Sequence, residues 1–197
     1  MGDYFERIVD VEVGADEAAA SAALMVDWMV SRGWLTRESS GAAMYSRQVA
    51  EGYVPGADWG QIAHDWGADW VPGPVAVVAG RAAHHPGQGE TEPSAAKCPG
   101  CGDTAVVIDY PNRWEADPAV WQPFSIAIDT WRQTGDATVT CRTCAAPSQV
   151  TAWSFADGFA LGALAFDFWG WPPLTESFVA EFATRLGHRI VHHSGKF

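Results

Sequence analysis

Basic residues are scarce in this chain. Twelve lysines and arginines stand against 24 acids in 197 residues, a formal charge of −12. A nucleic-acid binder needs a basic face to release the counterions condensed on phosphates, and an anionic membrane makes the same demand. The scattered bases disfavour both. Such a field suits a basic protein or a cationic small molecule, although solubility alone also accounts for it. Long apolar runs are missing too. The longest useful one, Phe159 to Phe166, is too short to span a bilayer. The opening stretch MGDYFERIVDVEV carries acid early and has no apolar core, so it does not read as a secretory leader. A cytoplasmic chain is the expectation. Absent as well are a Gly-x-Ser-x-Gly elbow, a phosphate-binding loop with lysine, a His-Glu-x-x-His helix and a dinucleotide fingerprint. These absences lower the odds of an enzyme without excluding one.

Cysteine is the last scarcity: there are four, all in two Cys-x-x-Cys pairs, Cys98 with Cys101 and Cys141 with Cys144. In a cytoplasmic chain such pairs read as metal ligands or redox centres rather than structural disulfides. Two pairs with no other cysteine fit one tetrahedral four-thiolate site. In CPGCG, Pro99 pre-sets the turn and Gly102 can take positive φ after the second ligand. This stretch resembles the knuckle of zinc ribbons and rubredoxins, with the cysteines at the four ligand positions. The resemblance covers about fifty residues and implies no function by itself. Ala145 stands where the knuckle commonly has glycine, and the 39 residues separating the pairs exceed the usual ribbon. The competing readings are a reactive CPGC dithiol and iron in place of zinc. Four thiolates leave no open position on the ion, so the expected role of Zn2+ is structural.

What remains is globular in composition: 48% hydrophobic and 18% charged, with eleven tryptophans to fill a core. IVDVEV alternates, placing Val9, Val11 and Val13 on one face and Asp10 and Glu12 on a wet one. A helix follows, capped by Asp16, with Ala22, Val26, Met29 and Val30 on one face and Gly33 as its stop. The end of the chain repeats that order. A strand runs from about Phe159 to Phe168 and the GWPP turn breaks it. A helix capped by Thr175 then runs to Leu186, with Phe178, Phe182 and Leu186 on one face, and HRIVHH is a short last strand. Residues 37–70 read as loops and 74–80 as a strand. The stretch 81–97 has almost no large apolar side chain and reads as a linker or mobile loop. Between and after the cysteine pairs, TAVVIDY, FSIAIDTW, ATVT and SQVTAWSF all look strand-like.

The fold expected is therefore α+β: a two-layer α/β sandwich from residues 1–80 and 156–197, with a β-rich zinc-ribbon-like insertion at 98–155. Neighbours on a strand face opposite ways, so neither His84-His85 nor His192-His193 is a ready-made chelate, and both read as surface residues without chemistry. His64 with Asp58 and Asp65 reads as a turn cluster. In FDFWGWPPL, Trp169 and Trp171 either pack a strand-to-helix corner or anchor a partner, and Asp167 reads as a wet-face residue. The leading expectation is a non-enzymatic, zinc-stabilised interaction protein for a basic partner, of the inhibitor or immunity type. One alternative is an enzyme with Asp58, Asp65 or Asp69 in a Trp-rich cleft. The other is a nucleic-acid-binding ribbon, disfavoured by six acids against three bases between Cys98 and Cys144.

Overall fold

A computed structural model describes residues 4–46, 48–67, 69–87 and 91–196. The chain is α+β, with three helices and eleven strands, mostly antiparallel, among the described residues. It divides into two compact units, Met1–Gly80 with Gly162–Phe197, and Arg81–Leu161.

The first unit is organised around β1 (Tyr4–Asp10). Helix α1 (Ala18–Ser31) follows, then β2 (Leu35–Ser40), β3 (Gly52–Pro55) and β4 (Val75–His84). Late in the chain come β10 (Ala160–Trp169), α3 (Glu176–Leu186) and β11 (Ile190–Lys196). The sheet order is β11-β1-β10-β4-β3-β2. β1 runs antiparallel to both neighbours, with Ile8 opposite Phe166 on one side and His192 on the other. Ile8, Leu164, Phe166 and Phe168 share one core with Met25, Val26 and Met29 of α1 and Phe178 and Phe182 of α3. The helix ends are set locally. Thr175 Oγ1 accepts the Phe178 N–H at 3.3 Å, and Gly187 takes φ +74. Gly33 ends α1 at φ +72, but Asp16 does not cap it; Glu17 and Ala18 instead donate to the Gly14 carbonyl.

The wet face expected for Asp10 and Glu12 holds only for Glu12, which is exposed beyond the end of β1; Asp10 is buried, as is Glu6 on the same strand. Each acid survives burial because a histidine from the end of the chain reaches it, His192 Nε2 to Glu6 at 2.7 Å and His188 Nδ1 to Asp10 at 2.8 Å. Asp10 also accepts the backbone N–H groups of Glu12 and Val13. Asp167 is buried as well, held by two bonds from Arg7 at 2.6 and 2.9 Å. His192 is thus bonded inward, while His193 pairs across from Arg7 on the other face. Residues 37–70 are not all loop, since β2 and β3 pair antiparallel. Gly52 lets β3 lie close to β4, because a Cβ there would lie 2.6 Å from the Val75 carbonyl oxygen. In the stretch expected as a linker, residues 81–84 continue β4, His84 is buried, and Ala95–Lys97 form β5.

The His188 contact predicts a pH signature. The hydrogen bond to Asp10 raises the His188 pKa above 6.5, and burial opposes this in part. Glu12 and Glu17 add smaller pulls in the same direction. A raised folded-state pKa gives stability that is complete below the ordinary histidine value and is lost as pH rises through the folded one. The stability gap between the native chain and His188→Asn should therefore shrink from pH 5.5 to 8.5 in urea titrations. A gap that widens over that range contradicts the contact.

A candidate metal centre in the second unit

The second unit contains β5 (Ala95–Lys97), β6 (Thr104–Val106), α2 (Pro118–Thr134), β7 (Thr138–Thr140), β8 (Pro147–Gln149) and β9 (Ser154–Phe155). Each cysteine pair sits at the tip of a two-stranded hairpin. β5 and β6 close with Lys97 opposite Thr104, and β7 and β8 close with Thr140 opposite Pro147. The two tips are built alike. Cys98 N–H bonds the Asp103 carbonyl at 2.8 Å and Gly102 N–H the Cys98 carbonyl at 3.0 Å. In the second tip, Cys141 N–H bonds Ala146 and Ala145 N–H bonds Cys141, both at 3.0 Å. This bonding turns both sulfurs of a pair to the same side.

The four Sγ atoms lie within 4.8 Å of one another. Across the two tips, Cys98 and Cys144 are 4.0 Å apart and Cys101 and Cys141 3.8 Å apart. Sulfurs about 2.3 Å from one ion at tetrahedral corners sit about 3.8 Å from each other, so the cluster has the dimensions of a four-thiolate site. All four cysteines are free thiols; Cys98 and Cys141 are buried, Cys101 and Cys144 exposed. Backbone N–H groups of Cys144 and Thr143 pull the Cys141 pKa down to about 7. The Asp103 N–H acts likewise on Cys101, but desolvation and the other three thiols push it up to about 12. Four thiols this close cannot all ionise alone, and a cation among them removes that conflict. Among the described residues, no other His, Cys, Asp or Glu group has such geometry.

Ala145 takes φ +56 where the first tip has Gly102 at φ +73. A Cβ in the left-handed region costs about 1 kcal/mol or more, partly offset by the greater unfolded entropy of glycine. Ala145→Gly should therefore stabilise the metal-loaded protein by roughly 0.5 kcal/mol, seen as a higher chemical-denaturation midpoint. A lowered midpoint speaks against this backbone at the second tip.

The 39 residues between the pairs do not hold the extra strands expected of FSIAIDTW; they hold α2. Phe124, Ala127, Ile128 and Trp131 are buried at helical spacing, and Ile126 is exposed. The buried face shares a core with Cys98, Cys141, Val139, Val150 and Trp153. Pro123 lies inside the helix and has no N–H for the carbonyl four residues back, that of Ala119. The Arg142 guanidinium, from the second tip, donates to that carbonyl instead. Thr143 Oγ1 donates to the Asp103 carboxylate, joining the two tips. Sequence reasoning missed Arg142, although the Pro123 that requires such a donor was visible.

The remaining candidates do not assemble. Trp169 and Trp171 are 4% and 2% exposed, so neither offers a surface to a partner. Trp169 packs with Phe5 and Ala76, and Trp171 Nε1 donates to the Gly73 carbonyl at 2.9 Å. Asp58, His64, Asp65 and Asp69 are exposed. Asp58 bonds Gln61 and Asp65 bonds the Gly67 N–H, contacts that shape their own turns. A cavity of about 240 Å³ opens beside the second tip between Pro123, Phe124, Val139 and Trp153. Asp103 is the one carboxylate in its lining, and no histidine joins it. No helix among the described residues is long and apolar enough to cross a membrane. Compared with known proteins, the chain matches no family model, no curated protein and no solved structure.

Proposed function

We propose that the chain is a non-enzymatic, zinc-stabilised interaction module that binds a basic protein partner, in the manner of an inhibitor or immunity protein. The observation that carries this is the four-cysteine cluster. Its ligand set is complete, so an ion there has no position left for water or substrate. Zinc is the assignment because it accepts four thiolates tetrahedrally with no redox demand. A zinc-ribbon-type pair of knuckles is part of the reading, supported by the matching bonds of the two hairpin tips. So is a two-layer first unit, supported by the core that α1 and α3 share with β1 and β10.

The partner's basic character rests on the formal charge of −12. The cavity beside Cys141 lacks the paired acid and base that proton-transfer chemistry needs, which favours binding over catalysis. The test is capture from the source cell at low and moderate salt, followed by association kinetics of what is captured. A basic partner whose association slows with salt is expected. An acidic partner, or rates indifferent to salt, overturns the electrostatic part of the reading.

A further inference from the structure

The second unit carries an exposed aromatic pair that its own fold does not use. The segment between β6 and α2 leaves and returns at one point, where Asp117 N–H bonds the Val107 carbonyl at 2.8 Å. Val107 and Ile108 are buried and both donate to the Ser94 carbonyl, which roots the loop. Inside it, Arg113 N–H bonds the Asp109 carbonyl, Asn112 Nδ2 bonds the Asp109 carboxylate, and Arg113 pairs with Asp117 at 3.1 Å. The Asp117 carboxylate also caps α2 through Ala119 N–H. Closed, internally bonded loops of this kind are frequently functional. On this frame stand Tyr110 and Trp114, 43% and 74% exposed, with ring centroids 4.9 Å apart.

The geometry points to this loop as the docking surface for the partner, with Trp114 taking a lysine or arginine side chain of a basic polypeptide on its ring face. An aromatic ring attracts a cation through its quadrupole, and tryptophan does so best. The charge around the pair has the matching sign. Asp109, Glu115 and Asp117 outnumber the single Arg113, which is already paired with Asp117. Glu115 adjoins Trp114 in sequence and is exposed, adding a negative charge to the same loop. A loop held by its own hydrogen bonds loses little entropy on docking, which is what an anchor residue requires. This inference rests on the proposed function in one respect: it takes the partner to be a basic polypeptide. It replaces Trp169 and Trp171, which are buried, with a tryptophan that is not.

The experiment titrates the metal-loaded protein with acetyl-Gly-Arg-Lys-Arg-Gly-amide, using acetyl-Gly-Glu-Asp-Glu-Gly-amide as control. The readout is the set of indole N–H signals in a nitrogen–proton correlation spectrum. The Trp114 signal is the one missing from Trp114→Phe. The cationic peptide should move that signal saturably and the acidic one should not. Trp114→Ala should weaken binding about fivefold. Glu115→Gln should weaken it less and flatten its salt dependence. Saturable binding that leaves the Trp114 signal in place, with full affinity in Trp114→Ala, overturns the loop assignment and leaves the basic-partner reading standing. No saturable change in any backbone or indole N–H signal of the spectrum overturns both.

Discussion

Stripping the metal, or replacing Cys141 with serine, should unfold the second unit while the first keeps its core. The cause is the distribution of apolar burial. Among the described residues, twenty-one buried side chains form the main core of the first unit, most of them from α1, α3 and the sheet. The second unit has a smaller core in which two of the buried residues belong to the candidate metal cluster, Cys98 and Cys141. Its β6–β5–β9 and β7–β8 sheets are made of strands two or three residues long, too short to hold without other support. Metal binding to four thiolates supplies on the order of 10 kcal/mol in isolated fingers, more than such a core provides. Loss of the ion should therefore release α2, which is tied to the second tip through Arg142 and Ala119. The expected readouts are a drop in helical circular dichroism and loss of amide protection confined to residues 81–161. Serine at the exposed Cys144 should act in the same direction as serine at buried Cys141. Retention of full helicity and protection by chelated protein contradicts the account.

The second large effect belongs to the first unit. Asp167→Asn should cost about 3 kcal/mol, because it takes away the carboxylate that the Arg7 guanidinium bonds twice in a largely buried setting. The side chains of Arg7 and Asp167 are only 11% and 4% exposed. Their two bonds form a fork across directly opposed positions of β1 and β10. The guanidinium also lies 4.6 Å from the Phe5 ring centroid, a contact that survives the substitution. A chain of this size should lose about 10 °C of melting temperature. Replacing both partners by apolar residues of similar volume, Arg7→Met with Asp167→Leu, should recover most of the loss. Denaturant titrations of the two single variants and the double one check this. A loss below about 1 kcal/mol for Asp167→Asn removes the claim that the pair is buried and essential.

Much of this was legible in the residues, and the parts that were not share a cause. The cysteine spacing located the cluster because a short turn with two thiols has few ways to aim them. Thr175, Gly187 and Gly33 marked their helix ends because caps act within a few residues. α2 was mistaken for a strand because Phe124, Ile126 and Ile128 alternate, whereas the buried set Phe124, Ala127, Ile128 and Trp131 follows helical spacing. The stronger signals were Asp117-Pro118 at its start and Gly135 at its end, which takes φ +86. The ionic partners of Glu6, Asp10 and Asp167 lie some 160 or more residues away in sequence. Such partners leave no local trace, so Asp10 and Asp167 read as wet-face residues. Exposure of Trp114 and burial of Trp169 and Trp171 are likewise tertiary facts, since all three sit in short aromatic segments next to acid or proline.

Metal analysis of the purified native protein, combined with a timed thiol titration, decides whether the four cysteines hold one structural zinc ion. The expected result is about one zinc per chain, slow modification of all four thiols, and fast modification once a chelator is added. Metal-free protein that is fully folded and carries four fast thiols would contradict it.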